Sequence, residues 1–328
     1  MQIPKALLLA LCVLSVVAFA MALLTGSGNA SSADALAVLF GADDATLRDI
    51  VFRVRLPRAL AAFGTGACLA QAGVLMQVML RNPLADPYIL GTSGGAAAGA
   101  LTAMLFGAVG LVVDGAAFAG ALVSTVLVFG LTGGRGEWAP GRLLLTGVVI
   151  AAGWGAIISL LLATSPEAGL RGMLFWLMGD FAFTQASGSV LIAAALAALA
   201  GLAGGQALNV LATGEQQAAL LGLAVSRTRN TVYLGAAALT SLAVTTAGTI
   251  GFVGLVVPHL LRLCGATDHR ALVPGAALAG GSLLVLADTI ARTALAPKQL
   301  PVGAITALIG VPVFLILLRQ AQGRGRLA

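Results

Sequence analysis

The chain has 328 residues, of which 59% are hydrophobic and only 9% are charged. A soluble domain carries about 25% charged residues, so soluble classes are excluded and we expect a polytopic membrane protein. The net charge of +6 comes from single basic residues at the ends of apolar runs. This scatter favours membrane topology signals over nucleic-acid binding, which uses clustered basic residues. We expect one all-α transmembrane domain over residues 1–328.

Ten apolar segments are interpreted as membrane spans. The first is also compatible with a signal peptide, but a chain of spans needs a first helix. Residues 231–265 would form a helix of about 50 Å, too long for a ~30 Å hydrocarbon core. Gly248 and Pro258 mark a break, so we divide this stretch in two; nine spans remain an alternative. The predicted spans are residues 6–24, 59–80, 88–106, 116–131, 143–164, 190–208, 231–250, 251–265, 271–287 and 301–318.

The charge distribution sets the expected orientation. With ten spans and a cytoplasmic N-terminus, the inner side holds eleven basic and four acidic residues, and the outer side holds seven basic and eight acidic residues. Net charges of +7 inside and −1 outside agree with the excess of Lys and Arg found on cytoplasmic loops. A nine-span chain would place the basic C-terminal tail outside. We therefore expect both termini to be cytoplasmic.

Two features of self-energised transporters are missing from the sequence. No predicted span has an acidic residue near its centre, because Asp114, Asp180 and Asp288 fall near span ends. Ion-driven transporters usually hold an ionisable residue at the membrane midplane. The only lysines are Lys5 and Lys298, and neither precedes Ser or Thr, which excludes the phosphate-binding loop G-x-x-x-x-G-K-[ST]. Energy for active transport must then come from another subunit.

Metal and cofactor sites are not expected. The three cysteines, Cys12, Cys68 and Cys264, lie far apart inside apolar runs and are interpreted as small hydrophobic residues. His259 and His269 are too few for a histidine-rich metal site. We interpret His259 as an ordinary helix residue rather than a metal or haem ligand. No catalytic cluster is visible either.

Three sequence patterns are unusual for plain spanning helices. One flanks the second span, one covers the broken region between spans seven and eight, and one links the last two spans. They are Arg55-Leu56-Pro57-Arg58 with Arg81-Asn82-Pro83-Leu84-Ala85-x-Pro87; Gly248-x-Ile250-x-Phe252-Val253-Gly254-Leu255-x-x-Pro258-His259-x-x-Arg262; and Ala287-Asp288-x-x-x-Arg292 with Leu300-Pro301-Val302-Gly303.

In this order and spacing, the patterns resemble the permease subunits of bacterial ABC importers for iron-siderophores, haem and vitamin B12, over nearly the whole chain. The resemblance implies the ten-helix fold of type II importers, present as a homodimer in the inner membrane. It also implies two ATP-binding subunits below the dimer and a periplasmic substrate-binding protein above it. ATP would be used by the partner subunits, and this chain would bind no cofactor and would not be an enzyme.

The resemblance implies that Arg55, Arg58 and Arg292 meet acidic residues of the binding protein. All three fall at the outer ends of predicted spans in the expected orientation. The alternative is that the first two are interfacial residues with charged tips in water. Arg292 is also four residues after Asp288, on the same helix face, and can pair with it. Both roles of Arg292 are compatible, because exposed pairs are worth only ~0–1 kcal/mol.

A polar segment at residues 212–228 is expected to contact the ATPase. A loop of this length is uncommon in a tightly spanned protein, although a simple solvated loop is the alternative. Residues 215–222 predict a short amphipathic helix ended by glycine, and Ala224–Thr228 predict a second turn. In the family this region forms the coupling helices. The residues assigned to coupling are Glu215, Leu220, Leu221, Gly222 and Arg227.

Asn82, Pro83 and Leu84 match, by the same resemblance, a position that narrows the cytoplasmic end of the pathway. Ordinary packing is the alternative for Leu84. Taken together, the sequence predicts the permease of an importer for a ferric siderophore, haem or cobalamin. The rival hypothesis is a self-sufficient secondary transporter or exporter of small molecules, and a membrane-embedded enzyme is more remote.

Overall fold

The structure is a computed structural model that describes residues 5–26, 32–41, 44–132, 140–182, 184 and 188–324. These residues form helices and connecting turns and contain no β-strand, as the sequence predicted. In chain order the helices are α1 (Lys5–Leu24), α2 (Ser32–Leu39), α3 (Ala45–Asp49), α4 (Leu56–Leu80), α5 (Thr92–Leu105), α6 (Leu111–Thr132), α7 (Pro140–Thr164), α8 (Glu167–Met178), α9 (Gly188–Ala212), α10 (Glu215–Leu220), α11 (Val225–Ala247), α12 (Val253–Leu263), α13 (His269–Thr293) and α14 (Val302–Arg324).

Six helical stretches of the described chain are long and apolar enough to cross a membrane. The other predicted spans fall on α5, α11, α12 and α14, which are shorter or less apolar. The count of ten spans and the orientation of the termini therefore stay predictions. The six stretches are Ala6–Leu24, Ala45–Leu80, Leu111–Thr132, Gly141–Thr164, Gly188–Ala212 and His269–Thr293.

The helix that contains the second predicted span begins well before residue 59. It is continuous from Ala45 to Leu80 and passes through a π-helical turn at Ile50–Arg55. Pro57 lies in the first turn of α4 and has no N–H to donate to a carbonyl one turn earlier. Such π-helical turns are rare and occur mostly as single-turn bulges inside α-helices. The arginines of this region therefore lie on a helix and not in a loop.

Helix α4 is the central helix of the bundle, packed against α1, α9, α11, α12 and α13. Glycines allow the closest of these approaches. A Cβ atom on Gly66 would overlap the carbonyl oxygen of Gly280 on α13, and one on Gly73 would overlap that of Gly254 on α12. Small residues of this kind let helix backbones pack closely where no hydrophobic effect drives association.

Two helices begin inside the bundle. Helices α5 and α12 have 14 and 11 residues, or about 21 and 17 Å at 1.5 Å per residue, so neither crosses a ~30 Å core alone. The break before α12 lies at residues 248–252, and Pro258 is inside that helix and does not end it. Tyr88 provides hydrogen-bond partners for the backbone at this break. Its hydroxyl accepts from Ile250 N (3.0 Å) and donates to Ile250 O (3.1 Å). Irregular backbone at membrane depth requires such internal partners.

Candidate functional site

The predicted site residues lie at two opposite ends of the bundle. The Arg58 end is formed by the last residues of α1, the first turn of α4, the end of α13 and the segment that follows α8. The Asp268 end is formed by the last residues of α4 and α9, by α10, and by the first residues of α11 and α13.

At the Arg58 end, Arg58 is the centre of an ion-pair network. Its Nε and Nη2 donate to Asp288 at distances of 2.8–3.1 Å, and its Nη1 donates to Gln299 at 3.2 Å. Nη2 also lies 3.4 Å from Asp180 Oδ1. Burial raises the pKa of Asp180, and the positive charge of Arg58 opposes this rise. The network joins α4, α13 and the segment after α8.

Arg55 and Arg292 bind the end of α1. Arg55 Nη1 donates to Leu23 O at 2.6 Å, Arg292 Nη1 donates to Thr25 O at 2.9 Å, and Arg292 Nη2 donates to Ala22 O. The last carbonyls of a helix have no partner within it and carry a partial negative charge. The two guanidinium groups therefore cap α1 and fix it to α4 and α13.

This arrangement differs from the exposed docking patch expected from the sequence. Arg55 and Arg292 are only 5% and 7% exposed, and the Arg58 side chain is 12% exposed. The reason is that carbonyls of α1 and the carboxylates of Asp288 and Asp180 draw the guanidinium groups inward. Arg292 lies 3.7 Å from Asp288, as its spacing predicted.

Arg53 is one of the exposed cations of this region, together with Arg48 and Lys298. Its side chain is 80% exposed and pairs with Asp49 one turn earlier at 3.0 Å. Arg53 is not among the residues that the family resemblance assigns to docking. Helical periodicity places Arg53 on a different face of the helix from Arg55 and Arg58. This difference could not be predicted from the sequence, because the helix was expected to begin at residue 59 and in fact begins at Ala45.

At the Asp268 end, α10 lies within the segment assigned to coupling. Leu220 and Leu221 are 88% and 68% exposed, whereas Ala218 is buried. Gly222 has a φ of +81° and ends the helix, with Leu223 N donating to Ala218 O at 3.0 Å, as in a Schellman cap. Two neighbouring leucines exposed on a short helix form a small apolar surface without an intramolecular partner among the described residues.

The residues after α10 differ from the expected second turn. Val225 begins α11, so Arg227 and Arg229 belong to a 23-residue helix. Arg229 Nη1 donates to both carboxylate oxygens of Glu215, at 3.1 and 3.3 Å, and so fixes α10 to α11. Arg227 is exposed, and within the described chain its guanidinium forms no hydrogen bond or ion pair.

Asn82 and Pro83 line a cavity of about 230 Å³ at this end, together with the cations Arg81 and Arg262. Asn82 Oδ1 accepts from Leu84 N at 2.9 Å, which fixes the turn after α4. The Leu84 side chain is 37% exposed. Arg262 donates to the side chain of Gln77 on α4, so its charge faces the cavity wall.

A further network at the Asp268 end was not predicted from the sequence. Asn209 Nδ2 donates to Asp268 Oδ1 at 2.8 Å, and Asn209 Oδ1 accepts from His269 N at 2.9 Å. These bonds fix the end of α9, next to α10, to the start of α13. The Asn209 amide, together with Arg270 N, lowers the pKa of the Asp268 carboxyl. The one sequence signal is Asp268 as an N-cap residue before α13.

Comparison with known protein families identifies the chain. The model of the FecCD transport family matches residues 13–320, nearly the whole chain. All three sequence patterns lie within this match.

Individual proteins with similar sequences lead to the same family. The chain is 42% identical over 281 residues to the vitamin B12 import system permease protein BtuC of Salmonella typhi, covering 83% of this chain and 84% of that protein. It is equally identical, over 279 residues, to the protein of the same name from Escherichia coli O157:H7.

Solved structures give the same result for the fold. A metal-chelate type ABC transporter in an inward-facing conformation matches with a TM-score of 0.84 at 31% identity, covering 97% of this chain and 99% of that chain. PsaBC from Streptococcus pneumoniae, at 15% identity and a TM-score of 0.57, shares the fold. The chain is a multi-pass membrane permease and not an enzyme, its ATPase is a separate subunit, and it belongs to the FecCD transport family.

Proposed function

We propose that two copies of this chain form the pathway of an ATP-driven importer in the bacterial inner membrane, and that the cargo is cobalamin or a closely related corrinoid. The observation that carries the proposal is the 42% identity to vitamin B12 permeases, which extends over 83% of the chain. The sequence patterns alone leave ferric siderophores and haem open. The identity over most of the chain favours the corrinoid.

The Asp268 end is suited to an ATPase partner. Helix α10 is short and fixed to α11 through Glu215 and Arg229, and it presents Leu220 and Leu221 to the surroundings. An exposed apolar pair on a rigid helix is typical of a surface that a partner covers. We assign the coupling role to α10, with Gly222 ending the helix and Arg227 beside it. In this assignment the Asp268 end is cytoplasmic.

The cavity lined by Asn82 and Pro83 lies at the same end. Its cations, Arg81 and Arg262, would face water at the cytoplasmic mouth of the pathway. We assign Asn82, Pro83 and Leu84 to the cytoplasmic gate, because the Asx turn of Asn82 holds Leu84 half-exposed beside the cavity. Closing and opening of this turn would follow movement of α4 against α12.

The Arg58 end would then face the periplasm and the substrate-binding protein. Since Arg55 and Arg292 cap α1, we propose that they shape the docking surface, and that Arg58 and the exposed Arg53 offer charge to acidic partner residues. Binding of Arg58 by a partner would compete with Asp288, which now holds it. Electrostatic contacts of this kind chiefly raise association rates.

The experiment is transport by the assembled complex. The chain is reconstituted in proteoliposomes with its genomic-neighbour ATPase and binding protein, and uptake of cyanocobalamin, a ferric hydroxamate siderophore and haemin is measured with and without ATP. We expect ATP-dependent uptake of cyanocobalamin above the other two. ATP-dependent uptake of only haemin or the siderophore would overturn the corrinoid assignment, and uptake without the ATPase would overturn the importer assignment.

A further inference from the structure

A groove of about 620 Å³ runs between α9 and α11 along the side of the bundle and reaches the Asp268 end at Arg227. Its floor is formed by Gln71 and Leu75 of α4 and by Val273 of α13, and its walls are almost entirely apolar. Small residues of α9, including Ala197 and Gly204, leave the space open, and nothing lies within 4 Å of the position a Cβ would take on Gly204.

The groove has the length and direction of a lipid chain. On α11 its lining residues run from Arg227 to Leu242, which is about 22 Å along the helix axis at 1.5 Å per residue. This length is greater than half the thickness of a ~30 Å hydrocarbon core, which is the depth of one leaflet. The groove follows the helices and so lies along the expected membrane normal. A linear hydrocarbon chain from one leaflet matches this shape.

The polar groups of the groove are concentrated at its Asp268 end. Arg227, Thr228 and Thr231 line it there. Arg229, two residues later, is held by Glu215, whereas the exposed guanidinium of Arg227 has no partner within the described chain. A free guanidinium next to hydroxyl groups at the mouth of an apolar groove is complementary to a phosphate, which arginine recognises with two parallel N–H groups.

We propose that this groove binds an anionic phospholipid, with one acyl chain along α9 and α11 and the phosphate at Arg227. Basic pockets between membrane helices bind anionic headgroups in this manner. A partner helix would cover the apolar walls but would bring no phosphate to Arg227, whereas a phospholipid supplies both an acyl chain and a phosphate. The site lies beside the start of α11, immediately after α10, and goes beyond the transport role proposed above.

The test measures lipid retained by the purified full-length chain. The protein is placed in nanodiscs with equal amounts of dioleoyl-phosphatidylglycerol and dioleoyl-phosphatidylcholine, and retained lipid is counted by native mass spectrometry. We expect at least one retained lipid per chain, with phosphatidylglycerol preferred about fivefold, the preference that one basic residue gives for anionic lipid. Retention without preference, or no retention, would overturn the proposal.

Matched variants locate the lipid. Ala200 and Ala203 are both exposed on α9, but only Ala200 lines the groove. Ala200→Leu should abolish lipid retention, and Ala203→Leu should leave it unchanged.

A second pair of variants tests the headgroup site. Arg227→Gln should reduce the preference for phosphatidylglycerol to near unity. Arg319→Gln, which removes an exposed cation of α14 outside the groove, should leave that preference unchanged. Equal behaviour within either pair would place the lipid elsewhere and refute the site. Because no ATPase is present, the result is independent of the coupling role assigned to Arg227.

Discussion

The guanidinium of Arg58 and the carboxylate of Asp288 form a buried ion pair, with Nη2 and Oδ1 2.8 Å apart, that joins the first turn of α4 to the end of α13. Asp288 also lies 3.7 Å from Arg292, so a single carboxylate serves two cations. The Asp288 side chain is only 3% exposed. Any acidic partner that recruits Arg58 must therefore compete with an anion that belongs to the bundle itself.

Removing that anion should destabilise the protein. Asp288→Asn leaves Arg58 and Arg292 buried with reduced charge compensation, and breaking a buried pair costs about 3–5 kcal/mol. We expect the lower part of this range, because Asp180 and Gln299 still contact Arg58. The midpoint of thermal unfolding in detergent measures the effect. The control is Asp49→Asn, which breaks an exposed pair with Arg53 worth ~0–1 kcal/mol. Equal shifts for both variants would contradict a structural role for Asp288.

The sequence predicted the helical class and the approximate positions of the six long apolar helices, because long apolar runs leave few alternatives in a membrane. It did not predict the burial of Arg55 and Arg292. From charge counting, an arginine at the end of a span is expected to face water. The carbonyls that bind Arg292 belong to the last turn of α1 and to the residue that follows it, 270 and 267 residues earlier in the chain. Contacts between residues so far apart in the chain leave no local sequence pattern. The leucines of α10 were predicted because a short helix between two glycines is itself a local sequence pattern.

Substitution of a packing glycine should test the centre of the bundle. A Cβ on Gly73 would overlap the backbone of Gly254, and neither backbone can move independently of its helix. We expect Gly73→Ala to cost about 1–3 kcal/mol, as overpacking does. Gly130→Ala on α6 is the control, since nothing lies within 4 Å of its added Cβ, and it should be neutral or slightly stabilising. Thermal unfolding of both variants in one detergent gives the comparison, and a neutral Gly73→Ala would refute the close approach.

The Asp268 end should show acid sensitivity. The pKa of Asp268 is held below its usual range by the Asn209 amide and Arg270 N. A carboxyl whose pKa is lower in the folded than in the unfolded state stabilises the fold above the unfolded pKa of about 3.9, and this stabilisation is lost as the pH falls through the folded value. The thermal midpoint of the wild type should therefore fall more steeply below about pH 4 than that of Asp268→Asn.

A second variant separates the carboxylate from its donor. Asn209→Ala keeps Asp268 but removes the hydrogen bond to its Oδ1, so the pKa should rise and the slope below pH 4 should become shallower. If Asn209→Ala retains the full slope of the wild type, the acid sensitivity arises from another group.

The apolar surface of α10 should control coupling. Leu220→Asp and Leu221→Asp place charge where an apolar contact with the ATPase is proposed, while both side chains are exposed in the chain itself. We expect loss of ATPase binding and of ATP-dependent uptake, with membrane insertion unchanged. Leu295→Asp, also at an exposed leucine but at the Arg58 end, is the matched control for the ATPase contact. Unchanged ATPase co-purification in the α10 variants would place the contact elsewhere.

Docking of the binding protein should respond in opposite directions to the two halves of the central ion pair. If Arg58 offers charge to an acidic partner, Arg58→Gln should weaken docking, whereas Asp288→Asn releases Arg58 from its internal partner and should strengthen it. The expected changes in affinity are up to about fivefold, as for an ion pair of ~0–1 kcal/mol. Both changes in affinity should become smaller at high salt, because salt screens the charges. Surface plasmon resonance on the reconstituted permease at low and high salt provides the measurement.

The opposite signs separate docking from stability. Both variants break the same buried pair, so both should lower the unfolding midpoint, and a docking defect caused by damage to the bundle would appear in both. Arg53→Gln adds a second comparison, because it removes an exposed cation without disturbing the network. It should slow association at low salt and leave the unfolding midpoint unchanged. If Asp288→Asn weakens docking as much as Arg58→Gln does, the network contributes to stability alone, and the acidic residues of the binding protein must meet other cations.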